Sequence, residues 1–160
     1  MKRKSLEGMD CPIALSLDRV GEWWNILILR DAMQGSTRFD DFKRSLDISP
    51  TMLARKLNAL VEVGMLEKTL YSSRPPRYEY LLTDLAKDFS PVLVSLFAWG
   101  KRHFQSEAEG TCLVDTQTGA FADPVLIDRT SGKPFTSEHF RFTPGTHASA
   151  ATLRRLGAKL

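Results

Sequence analysis

The sequence predicts a mostly helical α+β domain with a small β-rich extension on its C-terminal side. Apolar residues recur with a helical period through most of the first 104 residues, and a two-strand pattern interrupts them between residues 65 and 82. Beyond Glu109, short strand-like stretches alternate with turn residues. A chain of 160 residues can bury one ordinary core and carry an appendage. We therefore expect a functional domain over residues 1–108, an extension over 109–145 and a disordered or loosely helical tail over 146–160.

Two helices are expected at the start of the domain. Cys11-Pro12 begins the first, since proline in a first turn loses no hydrogen bond, and the helix extends to about Val20. After Gly21, residues 23–33 are apolar on most sides. This pattern is typical of a helix buried in the middle of a small domain.

Two further helices are separated by a short turn. The first begins at about Thr37, whose hydroxyl is expected to cap it, and its inner face is aromatic. The turn at residues 47–49 ends in a serine suited to an N-cap. Pro50 then predicts a helix to about Val63, which Gly64 ends.

The helix that begins at Pro50 has one buried and one polar face. At about 100° per residue, three leucines share the buried face: Leu53, Leu57 and Leu60. Four polar residues cluster on the opposite face: Thr51, Arg55, Asn58 and Glu62. The polar face is the one expected to meet solvent or a partner.

A hairpin with a basic tip follows this helix. Residues 65–71 alternate as a strand, a proline-containing break follows, and the strand pattern resumes over 77–82. Thr83 then caps a helix that extends to about Phe104 and is kinked or restarted near Pro91.

The extension contains a weak internal repeat. Two similar units lie thirteen positions apart, Leu113-Val114-Asp115 with Thr118-Gly119, and Leu126-Ile127-Asp128 with Ser131-Gly132. Two strand-turn units predict a small β-ribbon.

Positive charge is concentrated in one segment of the chain. Residues 49–77 hold five basic and two acidic residues, and this difference accounts for the whole formal net charge of +3. A local basic excess favours an anionic partner more than the overall charge does.

Several classes of protein do not fit the sequence. The N-terminal residues lack the apolar core of a secretory signal, and no apolar run reaches a bilayer-spanning length, so we expect a cytoplasmic protein without membrane contact. Cys11 and Cys112 lie far apart and indicate neither a disulfide scaffold nor a zinc site. His103, His139 and His147 have no ligand spacing, and no catalytic set emerges. We expect no cofactor, no metal and no enzymatic activity.

The helices on either side of the turn at residues 47–49 have the order of a helix-turn-helix, whose second helix enters the major groove of DNA. The helix from Pro50 offers its N-terminus and the Ser49 hydroxyl to a phosphate. A hairpin tipped by Arg74 and Arg77 would lie on the backbone or minor groove as a wing. The sequence thus predicts a winged helix-turn-helix domain that binds duplex DNA.

Eight residues are candidates for DNA contacts: Arg38, Ser49, Thr51, Arg55, Lys56, Asn58, Arg74 and Arg77. Thr51, Arg55 and Asn58 are expected to reach base edges, with Arg55 the best candidate for guanine. Most of the others, including Lys56, are expected to position the protein on the phosphate backbone.

Motifs between about Cys11 and Phe104 resemble those of the HxlR-type winged helix-turn-helix regulators. The marks are Cys11-Pro12-Ile13, Gly21-Glu22-Trp23-Trp24, Ile28-Leu29-Arg30-Asp31, Arg38-Phe39 with Phe42, Ile48-Ser49-Pro50 with Leu53 and Leu57, Gly64-Met65-Leu66-Glu67, Pro75-Pro76-Arg77-Tyr78-Glu79-Tyr80, Leu82-Thr83 and Trp99-Gly100. The resemblance implies a homodimer joined through N- and C-terminal helices, bound to a palindromic operator as a repressor or activator. Glu22-Trp23 departs from the family pattern, which more often has aspartate and a small or basic residue.

Two modes of regulation are open at this stage. Cys11 stands before the first helix, whose dipole would lower its pKa while Asp10 opposes that effect. The resemblance implies that some relatives use a cysteine at this position to sense oxidants or electrophiles, whereas a small buried side chain in a dimer interface is the slightly favoured alternative. The aromatic residues are typical of a core, and a pocket for a small-molecule effector is the alternative. A winged helix used for protein contacts without specific DNA binding remains the rival function.

Overall fold

Residues 6, 9–104 and 110–157 are described by the structure, a computed structural model. Their helices are α1 (Pro12–Val20), α2 (Trp23–Met33), α3 (Phe39–Leu46), α4 (Pro50–Glu62), α5 (Asp84–Asp88), α6 (Ser90–Phe104) and α7 (Ala150–Arg155). Strands β1 (Leu66–Ser73) and β2 (Pro76–Leu82) form an antiparallel pair. This helical fold with a two-stranded sheet confirms the predicted winged helix class.

The chain divides into two compact units, Met1–Ser90 with Pro144–Leu160, and Pro91–Thr143. In this division the end of the chain belongs to the first unit, and the three-part division with boundaries at residues 108 and 145 stays a prediction. None of the helices among the described residues is long and apolar enough to cross a bilayer.

The core of the first unit lies between α2, α3, α4 and the sheet. Its largest fully buried side chains come from these elements: Ile28, Leu29, Phe42, Leu53, Leu57, Leu60 and Leu66. The leucines of α4 occupy the face that the helical period assigned to the core. Burial of this face fixes which side of α4 is turned outward.

The start of α3 corrects one prediction. Thr37 does not cap this helix, whose N-cap is Arg38 and has no side-chain cap hydrogen bond. The backbone at this point is extended instead. The Tyr80 N–H donates to the Thr37 carbonyl at 2.7 Å, and Arg38 forms an isolated bridge with Glu79. The hairpin thus pairs with the segment before α3, a contact that local capping rules do not include.

The helix predicted after Thr83 is indeed divided. Thr83 caps α5 by accepting a hydrogen bond from the Ala86 N–H at 3.3 Å, and α6 starts at Ser90, directly before Pro91. The restart next to proline is the outcome that the sequence predicted.

The second unit contains the repeated segment as two similar turns. Gly119 N–H donates to the Asp115 carbonyl, and Gly132 N–H to the Asp128 carbonyl, both at 2.8 Å. Each turn is closed by a single bridge, one of them between Val114 and Phe121. The sequence repeat therefore corresponds to a repeated turn. One bridge at each turn is less strand pairing than the predicted β-ribbon would have.

The segment predicted as a disordered or loosely helical tail contains α7. Ser149 caps this helix by accepting a hydrogen bond from the Thr152 N–H at 3.2 Å. The tail was expected to be disordered or loosely helical, and its described residues include a helix. Residues 158–160 lie outside the described part of the chain.

Candidate nucleic-acid interface

The turn before α4 combines a left-handed residue with a helix cap. Asp47 takes a left-handed conformation with φ of 48°, and Ile48 is buried in the core. Ser49 then caps α4, its hydroxyl oxygen accepting from the Met52 N–H at 3.4 Å. With Pro50 in the first turn, this confirms the helix start predicted from Ser49-Pro50.

The outer face of α4 carries the side chains that the sequence assigned to it. Thr51, Arg55 and Asn58 are all exposed, on the side away from the buried leucines. The Arg55 guanidinium lies over its own helix, with Nη2 3.0 Å from the Met52 sulfur. Since a thioether is a weak hydrogen-bond acceptor, a long cation held by one within its own helix can turn toward a DNA base at little cost.

Lys56 is not on this face. Its side chain is only 7% exposed, and its ammonium forms an ion pair with the Glu22 carboxylate. A buried amine with its charge matched inside the protein is unsuited to neutralise a phosphate, so the observed geometry argues against the expectation that Lys56 positions DNA. The reason is its place on the helix, three residues after Leu53 and four before Leu60, on the edge of the buried stripe.

The hairpin presents its basic tip to solvent. Arg74 and Arg77 are both exposed, and Arg77 lies opposite Ser72 in the register. Further down the hairpin, the Lys68 ammonium lies 4.2 Å from the centre of the Tyr78 ring. Lys68 is a cation that sequence reasoning counted as charge but did not assign to the site, because its aromatic partner lies on the other strand of the hairpin.

Arg38 stands where α3 and the hairpin meet. It is exposed, and its guanidinium carbon lies 4.7 Å from the centre of the Tyr71 ring. Stacking on the ring limits the positions of the guanidinium. The geometry thus brings a third arginine to the hairpin.

Cys11 is the N-cap of α1 and is half-buried. The backbone N–H of Ala14, in the first turn of α1, makes the largest contribution that lowers the pKa of its thiol. The Ile13 N–H and the charge of Arg155 also lower this pKa, whereas partial burial and Asp10 raise it. The net direction is downward, which favours the reactive thiolate.

Asp10 ties α7 to the segment that carries Cys11. Its carboxylate accepts from the Ser149 N–H at 2.7 Å, the Ser149 hydroxyl at 3.0 Å and the Thr152 hydroxyl at 2.6 Å. The Thr152 hydroxyl and the Ser149 N–H are the main causes that lower the pKa of Asp10 to about 2. Sequence reasoning missed this contact, since its partners are separated by about 140 residues.

Comparison with known proteins identifies the family. The HxlR-like helix-turn-helix family model matches residues 19–108. The chain belongs to this family. An HTH-type transcriptional regulator of Mycobacterium tuberculosis is 37% identical over 134 residues, which cover 83% of this chain and 85% of that protein. The family consists of transcriptional regulators, and the chain is a regulator of this type and not an enzyme.

Solved structures of similar proteins differ in how much of this chain they match. PA1374 of Pseudomonas aeruginosa, solved as a candidate transcription factor, is 47% identical with a TM-score of 0.63, and the match covers 91% of this chain and 100% of that one. The reduced form of the redox regulator HypR is 28% identical with a TM-score of 0.54, and the match covers 57% of this chain and 92% of that one. The match to PA1374 therefore includes most of the extension and tail, whereas the match to HypR covers little more than half of this chain.

Proposed function

We propose that this HxlR-family regulator binds a specific duplex operator as a homodimer, with α4 of each chain in a major-groove half-site. The observation that carries the proposal is the exposed face of α4, where Thr51, Arg55 and Asn58 stand clear of the core. Arginine and asparagine side chains are suited to the edges of guanine and adenine. The exposed Arg74 and Arg77 supply the backbone contacts of a wing.

Exposed apolar residues on two helices support a second copy as the partner. On α1, Ile13 and Leu17 are 57% and 47% exposed and lie one turn apart. On α6, Val92, Leu96 and Trp99 are similarly exposed and form one stripe. Apolar stripes of this kind are typical of helices that pack against a partner. A two-fold dimer would make the operator palindromic, with half-sites about 10 base pairs apart.

We further propose that modification of Cys11 changes DNA binding. Its thiol is half-buried at a helix start with a lowered pKa, and the similar HypR is a redox regulator. A quinone would form a sulfur–carbon bond with the Cys11 thiolate while a proton adds to the quinone oxygen. Since the proposed partner is DNA, we also propose that the protein acts in the cytoplasm.

A competition titration tests the DNA proposal. The full chain is titrated against the promoter fragment of its own gene and against random duplex of equal length at about 150 mM salt. Binding to the promoter at least about 10³-fold tighter supports specific recognition. Equal affinity for both duplexes would overturn it and favour a winged helix used for protein contacts.

The same titration after treatment with benzoquinone tests the thiol proposal. Treatment is expected to shift the wild-type affinity and to leave the Cys11→Ser variant unchanged. Cys112→Ser is the matched control and should respond as the wild type does. A wild-type affinity that benzoquinone does not move would eliminate Cys11 as a sensor and direct the search to a small-molecule effector.

A further inference from the structure

Lys56 is a buried cation in the middle of the helix proposed to read DNA. Its neighbours in sequence behave differently, because Arg55 is exposed to solvent and Leu57 is packed in the core. The Lys56 ammonium meets the carboxylate of Glu22, the N-cap residue of α2. This ion pair connects the start of one helix to the middle of the other.

Glu22 is itself held firmly in place. Its carbonyl accepts the first hydrogen bonds of α2, from the Asn25 N–H at 2.9 Å and the Ile26 N–H at 3.2 Å. On its other side the chain turns tightly at Gly21, where a Cβ would fall 2.4 Å from the Leu17 carbonyl oxygen. The carboxylate therefore extends from a corner with little freedom, which makes it a fixed reference point for α4.

The leucines of α4 cannot fix its rotation by themselves. Apolar contact is non-directional, so a row of leucines tolerates small rotations of the helix about its axis. At the outer radius of about 5–6 Å, a rotation of roughly 20° moves an exposed side chain by about 2 Å. That displacement is large against the distance range of a hydrogen bond to a base. A half-buried ion pair at a single position opposes it, because rotation of the helix would separate the two charges and lose their attraction at a partly buried site.

We propose that Glu22 and Lys56 are positioning residues that set the rotation of α4 and thereby direct Arg55 and its neighbours at base edges. The proposal rests on the DNA-binding function proposed above and assigns Lys56 no contact with DNA.

Three variants test the proposal. Lys56→Met removes the charge of the buried partner and keeps a side chain of similar length, and Glu22→Gln removes the charge of the more exposed partner. Lys56→Arg keeps the cation. Each is measured for affinity to operator, affinity to random duplex and the slope of log K against log salt. Thermal unfolding of each variant confirms that the folded protein is compared.

Lys56→Met and Glu22→Gln are each expected to weaken operator binding roughly tenfold, a middle value for coupled contacts, with binding to random duplex and the salt slope unchanged. The double variant should lose no more than the worse single variant, and Lys56→Arg should restore most of the discrimination. Glu22→Gln keeps the test valid if Lys56→Met does not fold. The Glu22 side chain is 44% exposed, so its substitution disturbs the core less.

Two results would overturn the proposal while leaving the DNA-binding function intact. A slope reduced by about 0.9 per chain in Lys56→Met would show that Lys56 contacts phosphate. Full discrimination between operator and random duplex in folded Lys56→Met and Glu22→Gln would show that the pair does not position α4. Failure of the wild-type protein to discriminate would instead overturn the proposed function, and this proposal with it.

Discussion

Replacement of Arg55 by alanine should weaken operator binding without destabilising the fold. Arg55 is exposed, and its guanidinium contacts the Met52 sulfur within its own helix. A surface change of this kind alters the free energy of unfolding by no more than about 0.5 kcal/mol. The affinity change therefore reports the loss of a DNA contact.

The size of the effect follows from the proposed dimer. A bidentate contact to guanine contributes about 1–3 kcal/mol, and two chains lose one contact each, so operator affinity should fall by about 2–6 kcal/mol, or roughly 30-fold to 10⁴-fold. Binding to random duplex should change much less. Sequence preference at the contacted base pair should relax, which is measured with operators substituted at each position.

Arg77→Ala is the matched control on the wing. Because Arg77 is expected to contact phosphate, its loss should weaken operator and random duplex alike and reduce the salt slope by about 0.9 per chain. An Arg55→Ala variant that loses affinity equally for both duplexes would refute the assignment of base readout to Arg55.

Three further predictions concern the parts of the fold that support this site. Asp10→Asn should release α7 at neutral pH, seen as faster amide exchange in that helix. In the wild type the pKa of Asp10 is lower in the folded state, so this stabilisation is present above pH 3.8 and is lost as the pH falls through about 2. Slow amide exchange of α7 in Asp10→Asn would contradict the assignment. Gly21→Ala should cost about 1–3 kcal/mol in urea unfolding, because the new Cβ meets the Leu17 carbonyl at 2.4 Å. Unchanged stability would show that this corner is loose. Phe42→Ala should cost about 3–5 kcal/mol, since the ring is fully buried, and a loss below 1 kcal/mol would argue against the core described here.

The helical period was sufficient to place most of α4. It put the leucines inside and Thr51, Arg55 and Asn58 outside, as the structure has them. It also placed Lys56 on the edge of the buried stripe, but the charge of the side chain led to the opposite assignment. Its partner Glu22 lies 34 positions earlier, and no local pattern reveals such a pairing.

Two further contacts also could not be predicted from local patterns. Thr37 fits a capping motif, but its carbonyl is used by the hairpin through Tyr80. The alanine-rich tail gave no strong helix signal, yet α7 docks on Asp10 through three hydrogen bonds. Both contacts join segments far apart in the chain, whereas periodicity and capping rules describe only neighbours within a few turns.

The position of α4 on DNA is the central claim, and affinity cleavage tests it most directly. A DNA-cleaving phenanthroline–copper group is attached through an Asn58→Cys substitution in a Cys11→Ser, Cys112→Ser background and compared with the same group attached through Asp123→Cys in the second unit. Cuts from position 58 confined to two half-sites about 10 base pairs apart are the predicted result. Cuts from position 58 no more localised than those from position 123 would contradict the account.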